Sequence, residues 1–189
     1  MKVVDMHCDT ISAIHLQQKE GQYISLKHND LHLSLEKMQK GDYLLQNFAM
    51  FTPLNMTDDA WQYAHDLIDT FYHEVNQYPD LIGVVKNYQD IQDNIQKQRM
   101  SALLTLEEGA VVRNQIQHLQ HYYDLGVRMI TLTWNFSNGI GYPNFSMDDP
   151  NHGYHTCDNV HGLTEFGKAY VQECERLGII IDVSHLSDA

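Results

Sequence analysis

The sequence predicts an α/β fold, a (β/α)8 TIM-like barrel, and two observations carry that expectation. Short apolar runs alternate with amphipathic stretches along the whole chain, and each amphipathic stretch leads directly into the next apolar run. That alternation is the mark of βα units around a parallel sheet. The runs are near-continuous in apolar residues, as strands covered on both faces require. A doubly wound open sheet is the alternative, but no glycine-rich phosphate loop follows the first run, where such a fold would bind a nucleotide.

Five apolar runs are expected as strands: KVVDMHC at 2–8, YLLQNFAMF at 43–51, SALLTLEE at 101–108, VRMITLTW at 127–134 and GIIIDVSH at 178–185. Between the second and third, a helix is expected to open at Thr57, with Asp58 and Asp59 in its first turn, where they complement the helix dipole. Trp61, Ala64, Leu67, Ile68, Phe71 and Val75 follow at three- and four-residue spacing and make one buried stripe. NQIQHLQHYYDLG repeats the device with Ile116, Leu119, Tyr122 and Tyr123, and Gly126 stops it. TEFGKAYVQECERLG repeats it again, capped by Thr164 and closed by Gly178. Residues 135–161 are rich in Asn, Gly, Pro and Asp without helical or strand period, and are expected as a long loop over the mouth of the barrel. His152, His155 and His161 in that loop are candidates for substrate contact. A single domain spanning residues 1–189 is expected, with the barrel interrupted after about its fifth strand.

Bulk composition excludes several classes. A formal charge of -13 argues against nucleic acid as a partner, since such binding needs a clustered basic face. No apolar run reaches the 18 residues of a membrane span, so no membrane partner is expected. Asp5 and His7 interrupt the N-terminal stretch before a signal-peptide core could form. Cys8, Cys157 and Cys174 make neither a CxxC pair nor an even disulfide framework, which suits a reducing compartment, and the expected location is the cytoplasm. There are 12 histidines; those in helical stretches, His65, His73, His118 and His121, are expected to be solvated.

Chemistry-bearing residues fall at the ends of three runs. Side chains alternate along a strand, so His7 and Asp9 at the end of the first run point the same way and can grip one cation. The third run ends in Glu107-Glu108 and the fifth in Ser184-His185. The C-terminal ends of barrel strands form the open mouth, which is where such groups would converge. Imidazole nitrogen and carboxylate oxygen suit zinc, and a carboxylate can bridge two ions, which makes a two-metal site the natural inference. The plain alternative is that an isolated HxD pair is incidental, that Glu107 is a solvated strand end and that His185 caps a helix or fills a core. Three successive strand ends carrying ligand-type residues weigh against coincidence.

Several segments, taken in order and spacing, resemble the membrane dipeptidase (renal dipeptidase-like) family. They are DMHCDT, GDYLLQNFAMFTP, LEEG, LGVRMITLTWN and GLTEFGKAYVQECERLGIIIDVSHLSDA, covering residues 5 to 188, with GLTEFG before LGIIIDVSH the most specific. The resemblance implies a zinc metallohydrolase of dipeptides, tolerant of a D-residue at the carboxyl side. It implies His7 and Asp9 as ligands of a first zinc, Glu107 as the bridging carboxylate and His185 as a ligand of a second. The resemblance favours Glu107 over Glu108, since the family's bridging glutamate directly follows an apolar residue, as Glu107 follows Leu106. Water shared by two ions would be the attacking species, and no covalent intermediate is implied, in keeping with the lack of a GxSxG elbow.

Two departures from the family pattern stand out. Trp134 occupies the place of a substrate-contacting histidine, and Asn135 beside it is the candidate to substitute by donating a hydrogen bond. The family's further second-zinc histidine and its acidic proton-handling residue would lie beyond Ala189. The chain as written is therefore expected to bind one divalent ion well, a second poorly, and to turn over dipeptides slowly or not at all. Alternatives are another metal-dependent amidohydrolase or phosphoesterase, a metal-binding remnant, or an assembly subunit, with unpaired strand edges favouring homo-oligomers.

Overall fold

The structure is a computed structural model and describes residues 1–147 and 157–189. The chain packs as two compact units, Met1–Phe51 with His65–Thr105, and Thr52–Ala64 with Leu106–Ala189. The described strands are β1 (Val3–Asp5), β2 (Tyr43–Phe51), β3 (Ile82–Val85), β4 (Met100–Glu107), β5 (Met129–Thr131) and β6 (Ile180–Asp182). The described α-helices are α1 (Thr10–Lys19), α2 (Leu35–Lys40), α3 (Ala60–Asn76), α4 (Tyr88–Gln96), α5 (His118–Leu125) and α6 (Glu165–Leu177). The sheet runs in the order β1-β2-β4-β5-β6, with β3 paired to β4. This is the parallel α/β architecture expected of a TIM-like barrel, represented in part.

In the first unit β1 runs parallel to β2, with Val4 opposite Leu45 and Asp5 opposite Gln46. β3 runs parallel to β4 from Ile82 opposite Met100 to Val85 opposite Leu103. Beyond the end of β3, β4 meets β2 directly, where Thr105 Oγ1 donates to the Phe48 carbonyl at 3.1 Å. Leu45 to Met50 of β2 are all buried, the polar Gln46 and Asn47 among them, in keeping with a strand covered on both faces. Phe48 and Phe71 meet with ring centroids 5.7 Å apart, seating the apolar stripe of α3 on the core.

The second unit is built on β5 and β6, parallel, with Thr131 opposite Asp182. Leu119 and Tyr122 of α5 and Tyr170 and Cys174 of α6 are buried, as the periodicity required. Gly126 at φ 110° and Gly178 at φ 77° close the two helices in the left-handed region, where a side chain would be strained. Thr164 caps α6 by accepting from the Gly167 N–H at 2.9 Å.

Four expectations need correction. Among the described residues six strands are present rather than five, because IGVV, too short to announce itself, forms β3; His185 therefore follows the sixth described strand. The long helix starts at Ala60, not at Thr57: Thr57 Oγ1 accepts from the Asp59 N–H, and Asp59 caps the helix by accepting from the Gln62 N–H at 3.1 Å. His118 is not solvated, since its Nδ1 lies 2.9 Å from the Val112 carbonyl and its ring 4.3 Å from that of Trp61. The strands at both ends of the chain are also shorter than their runs, so the ligand-type residues of the first and last runs lie in the loops just beyond.

Residues 135–147 form no helix or strand, yet they are tied down. The Met147 N–H donates to the Asn135 carbonyl at 2.8 Å, the Asn144 N–H to the His185 carbonyl at 2.8 Å, and Pro143 bridges to Leu186. His161 is held by Asp158, with Nδ1 and Oδ2 3.1 Å apart, and its ring lies 5.0 Å from that of Tyr142. His152 and His155 lie outside the described residues. No helix among the described residues is long and apolar enough to cross a membrane.

Candidate metal centre

β1 ends at Asp5, and the loop behind it is shaped by that residue: Asp5 Oδ1 accepts from the His7 N–H at 3.2 Å. His7 Nε2 then lies 3.2 Å from Asp9 Oδ1, so the two side chains meet although both residues lie past the strand end, where alternation no longer applies. Asp9 immediately precedes α1 but makes no side-chain cap to it, which leaves its carboxylate directed at His7 rather than at the helix. Both side chains are open to solvent. Cys8 stands between them, and burial pushes its thiol up to about 12.

Within the second unit, Glu107 is the last residue of β4 and is only 5% exposed. Its carbonyl accepts from the Thr52 N–H at 3.1 Å, which continues the ladder to the strand end. His185 Nε2 lies 3.5 Å from Glu107 Oε1. The turn carrying His185 is specified by Asp182, whose Oδ1 accepts from the Ser184 N–H at 2.9 Å and from its hydroxyl at 2.7 Å. Asp182 Oδ2 also accepts from Thr131 Oγ1 at 2.6 Å, tying that turn to the end of β5. His185 itself sits in the left-handed region at φ 70°, a conformation that costs a β-carbon residue free energy and that clusters at functional sites.

Asn135 Oδ1 lies 3.1 Å from His185 Nδ1, so the side-chain oxygen faces the imidazole. Trp134 stands beside the same ring, with centroids 6.3 Å apart.

Glu108 has a role that the sequence reading did not assign. It is fully buried, at φ 108°, and its carboxylate accepts from the Ala110 N–H at 2.9 Å, the Trp134 N–H at 3.2 Å and the Asn138 amide. Burial pushes its carboxyl above the usual range, and those three donors pull it back. The carboxylate therefore staples the end of β4 to the loop that carries Trp134 and Asn135. The paired glutamates of LEEG and the nearby Asn138 were the only sequence signals available for this.

The donor set is imidazole nitrogen and carboxylate oxygen, with no thiolate among the groups just described. Such donors fit zinc or another divalent ion, and the His7–Asp9 and His185–Glu107 pairs each bring an imidazole to a carboxylate.

A family described as membrane dipeptidase (peptidase family M19) matches residues 1–189. Dipeptidase 3 of Rattus norvegicus is 30% identical over 156 residues, covering 82% of this chain and 30% of its own length. A solved dipeptidase, described as a metallo peptidase of the same family, superposes with a TM-score of 0.84 at 22% identity over 100% of this chain and 57% of its own. A metallo peptidase from Rhodobacter sphaeroides, liganded with a phosphinate mimic of the dipeptide L-Ala-D-Ala, gives 0.83 at 21% identity, over 100% of this chain and 60% of its own. The structural likenesses show the fold. The chain thus spans about a third of the curated relative and somewhat over half of the solved structures.

Proposed function

Because this chain belongs to the membrane dipeptidase family, we propose that it supplies the metal ligands of an enzyme that hydrolyses dipeptides. The observation that carries the reading is the delivery of two imidazole–carboxylate pairs by residues at or just past strand ends: His7 with Asp9, and His185 with Glu107. By kinship with the family, His7, Asp9 and Glu107 would hold a first zinc. His185, with Glu107 shared, would hold a second. When bound, the ions would activate a water and polarise the scissile carbonyl.

The chain's own residues do the rest. Asp5 shapes the loop of His7 by accepting from its N–H, Glu107 is kept rigid by its burial at a strand end, and Asp182 with Asn135 fixes the turn and ring of His185. Three protein ligands with one position left open are what a catalytic zinc site requires. A dipeptide is the proposed substrate; a structurally similar metallo peptidase is liganded with a phosphinate dipeptide mimic. Apolar side chains on the two terminal strands of the sheet path and just beyond, Val4, Met6, Ile180 and Val183, are exposed and favour self-association.

The test is hydrolysis of a dipeptide panel, including D-residues at the carboxyl side, beside cyclic amides and phosphate esters, with zinc present or chelated. Zinc-dependent cleavage of dipeptides supports the reading, whereas cleavage of the other two classes instead would replace it.

A further inference from the structure

We propose that Asn135 is a positioning residue that selects the nitrogen with which His185 binds metal. The inference deepens the metal-centre reading and rests on it. A neutral imidazole carries one N–H and one lone pair, and the hydrogen bond at one nitrogen decides which atom is free for a metal. In His185 the Nδ1 faces Asn135 Oδ1 at 3.1 Å, and an amide oxygen only accepts. The proton is therefore drawn to Nδ1. Nε2, the nitrogen 3.5 Å from Glu107 Oε1, is left with the lone pair.

The surroundings of Asn135 are built to hold it there. Its carbonyl accepts from the Met147 N–H at 2.8 Å, and the preceding residue, Trp134, is pinned through its own N–H to the buried Glu108 carboxylate at 3.2 Å. Asn138 is fixed to the Leu132 carbonyl at 3.0 Å, and its Oδ1 accepts from the Ile140 N–H at 2.8 Å and the Gly141 N–H at 3.1 Å. The loop segment is thus anchored on both sides of Asn135. His185 is equally anchored, since its carbonyl accepts from the Asn144 N–H of the same loop. An amide held rigidly against the ring nitrogen remote from the carboxylate is what orienting a metal-binding histidine demands.

Two measurements decide the proposal, on the purified chain with Asn135→Ala, Asn135→Asp and His185→Ala variants. The first is the tautomer of His185, read from its ring nitrogen-15 shifts without metal at a pH where the ring is neutral. The Nδ1–H form should dominate in the parent and in Asn135→Asp, which keeps an acceptor, and should lose dominance in Asn135→Ala. An unchanged tautomer in Asn135→Ala overturns the proposal. The second is a zinc titration that follows the weaker of the two binding events, the one assigned to His185 with Glu107. Asn135→Ala should weaken that event by about 10- to 100-fold, as loss of an orienting partner does, with Asn135→Asp restoring it and the thermal midpoint unmoved. An unchanged weaker event in Asn135→Ala, where His185→Ala loses it, also overturns the proposal. If His185→Ala keeps the weaker event as the parent has it, His185 is not a ligand and the second-ion part of the metal-centre reading fails separately.

Discussion

His185 Nε2 stands 3.5 Å from Glu107 Oε1, so the turn after β6 brings an imidazole to the carboxylate that ends β4. The separation exceeds that of a good hydrogen bond, and the pair is better arranged to share an ion than to satisfy each other. Glu107→Gln keeps the shape of the side chain but removes its charge. It should weaken zinc binding by more than the roughly 10- to 100-fold typical of changes behind the ligands. Isothermal titration of parent and variant checks this, and equal affinities would remove Glu107 from the ligand set.

Glu108 carries a different burden from its neighbour. Glu108→Ala leaves the N–H groups of Ala110 and Trp134 without their carboxylate partner. An orphaned buried donor costs about 1–3 kcal/mol, so the variant should lose at least that much stability in urea unfolding. A midpoint equal to that of the parent would show that the staple contributes nothing.

Gly167 is where α6 meets the loop around Ile140. A β-carbon there would come within 2.0 Å of the Ile140 carbonyl oxygen, which is backbone and cannot rotate away. Gly167→Ala should therefore destabilise despite the better helix propensity of alanine, by about 1–3 kcal/mol or more. A stabilised variant in thermal unfolding would contradict the packing described.

Asp158 gives a pH signature. It accepts from the N–H groups of His161 and Val160 and pairs with the His161 ring, which together hold its carboxyl at about 2, below the ordinary 3.8. A carboxyl depressed in the folded state stabilises it above the ordinary value, and that stabilisation is lost as pH falls from about 4 towards 2. The carboxyl carbon of Asp158, followed by NMR, should titrate near 2 in the parent and shift upwards in His161→Ala. Titration at the ordinary value in the parent would rule out this loop geometry.

Much of the fold was legible because burial on both faces writes itself as continuous apolar runs, as in YLLQNFAMF, and helix stripes as three- and four-residue spacing, as in α3. β3 was not legible: four residues with a glycine leave too short a signal. Helix α4 escaped for a related reason, having only Asn94 fully buried. The candidate ligands were legible from strand-end placement. What sequence could not show was which neighbour each polar group would choose. Asn135 is next to Trp134 in the chain, but its hydrogen bond goes to His185, 50 positions away. Glu108 carried no role in the sequence beyond its pairing with Glu107, yet it is completely buried and turned towards Trp134 and Asn138.

The central claim is that His7, Asp9, Glu107 and His185 hold divalent metal. It is tested most directly by zinc per chain after dialysis, for the parent and for His7→Ala with Asp9→Ala combined. Glu107, with His185 alone, is too small a ligand set to retain an ion tightly. The parent should therefore keep about one zinc per chain and the double variant close to none, with the far-ultraviolet spectrum unchanged. Equal zinc content in the two proteins would contradict the claim.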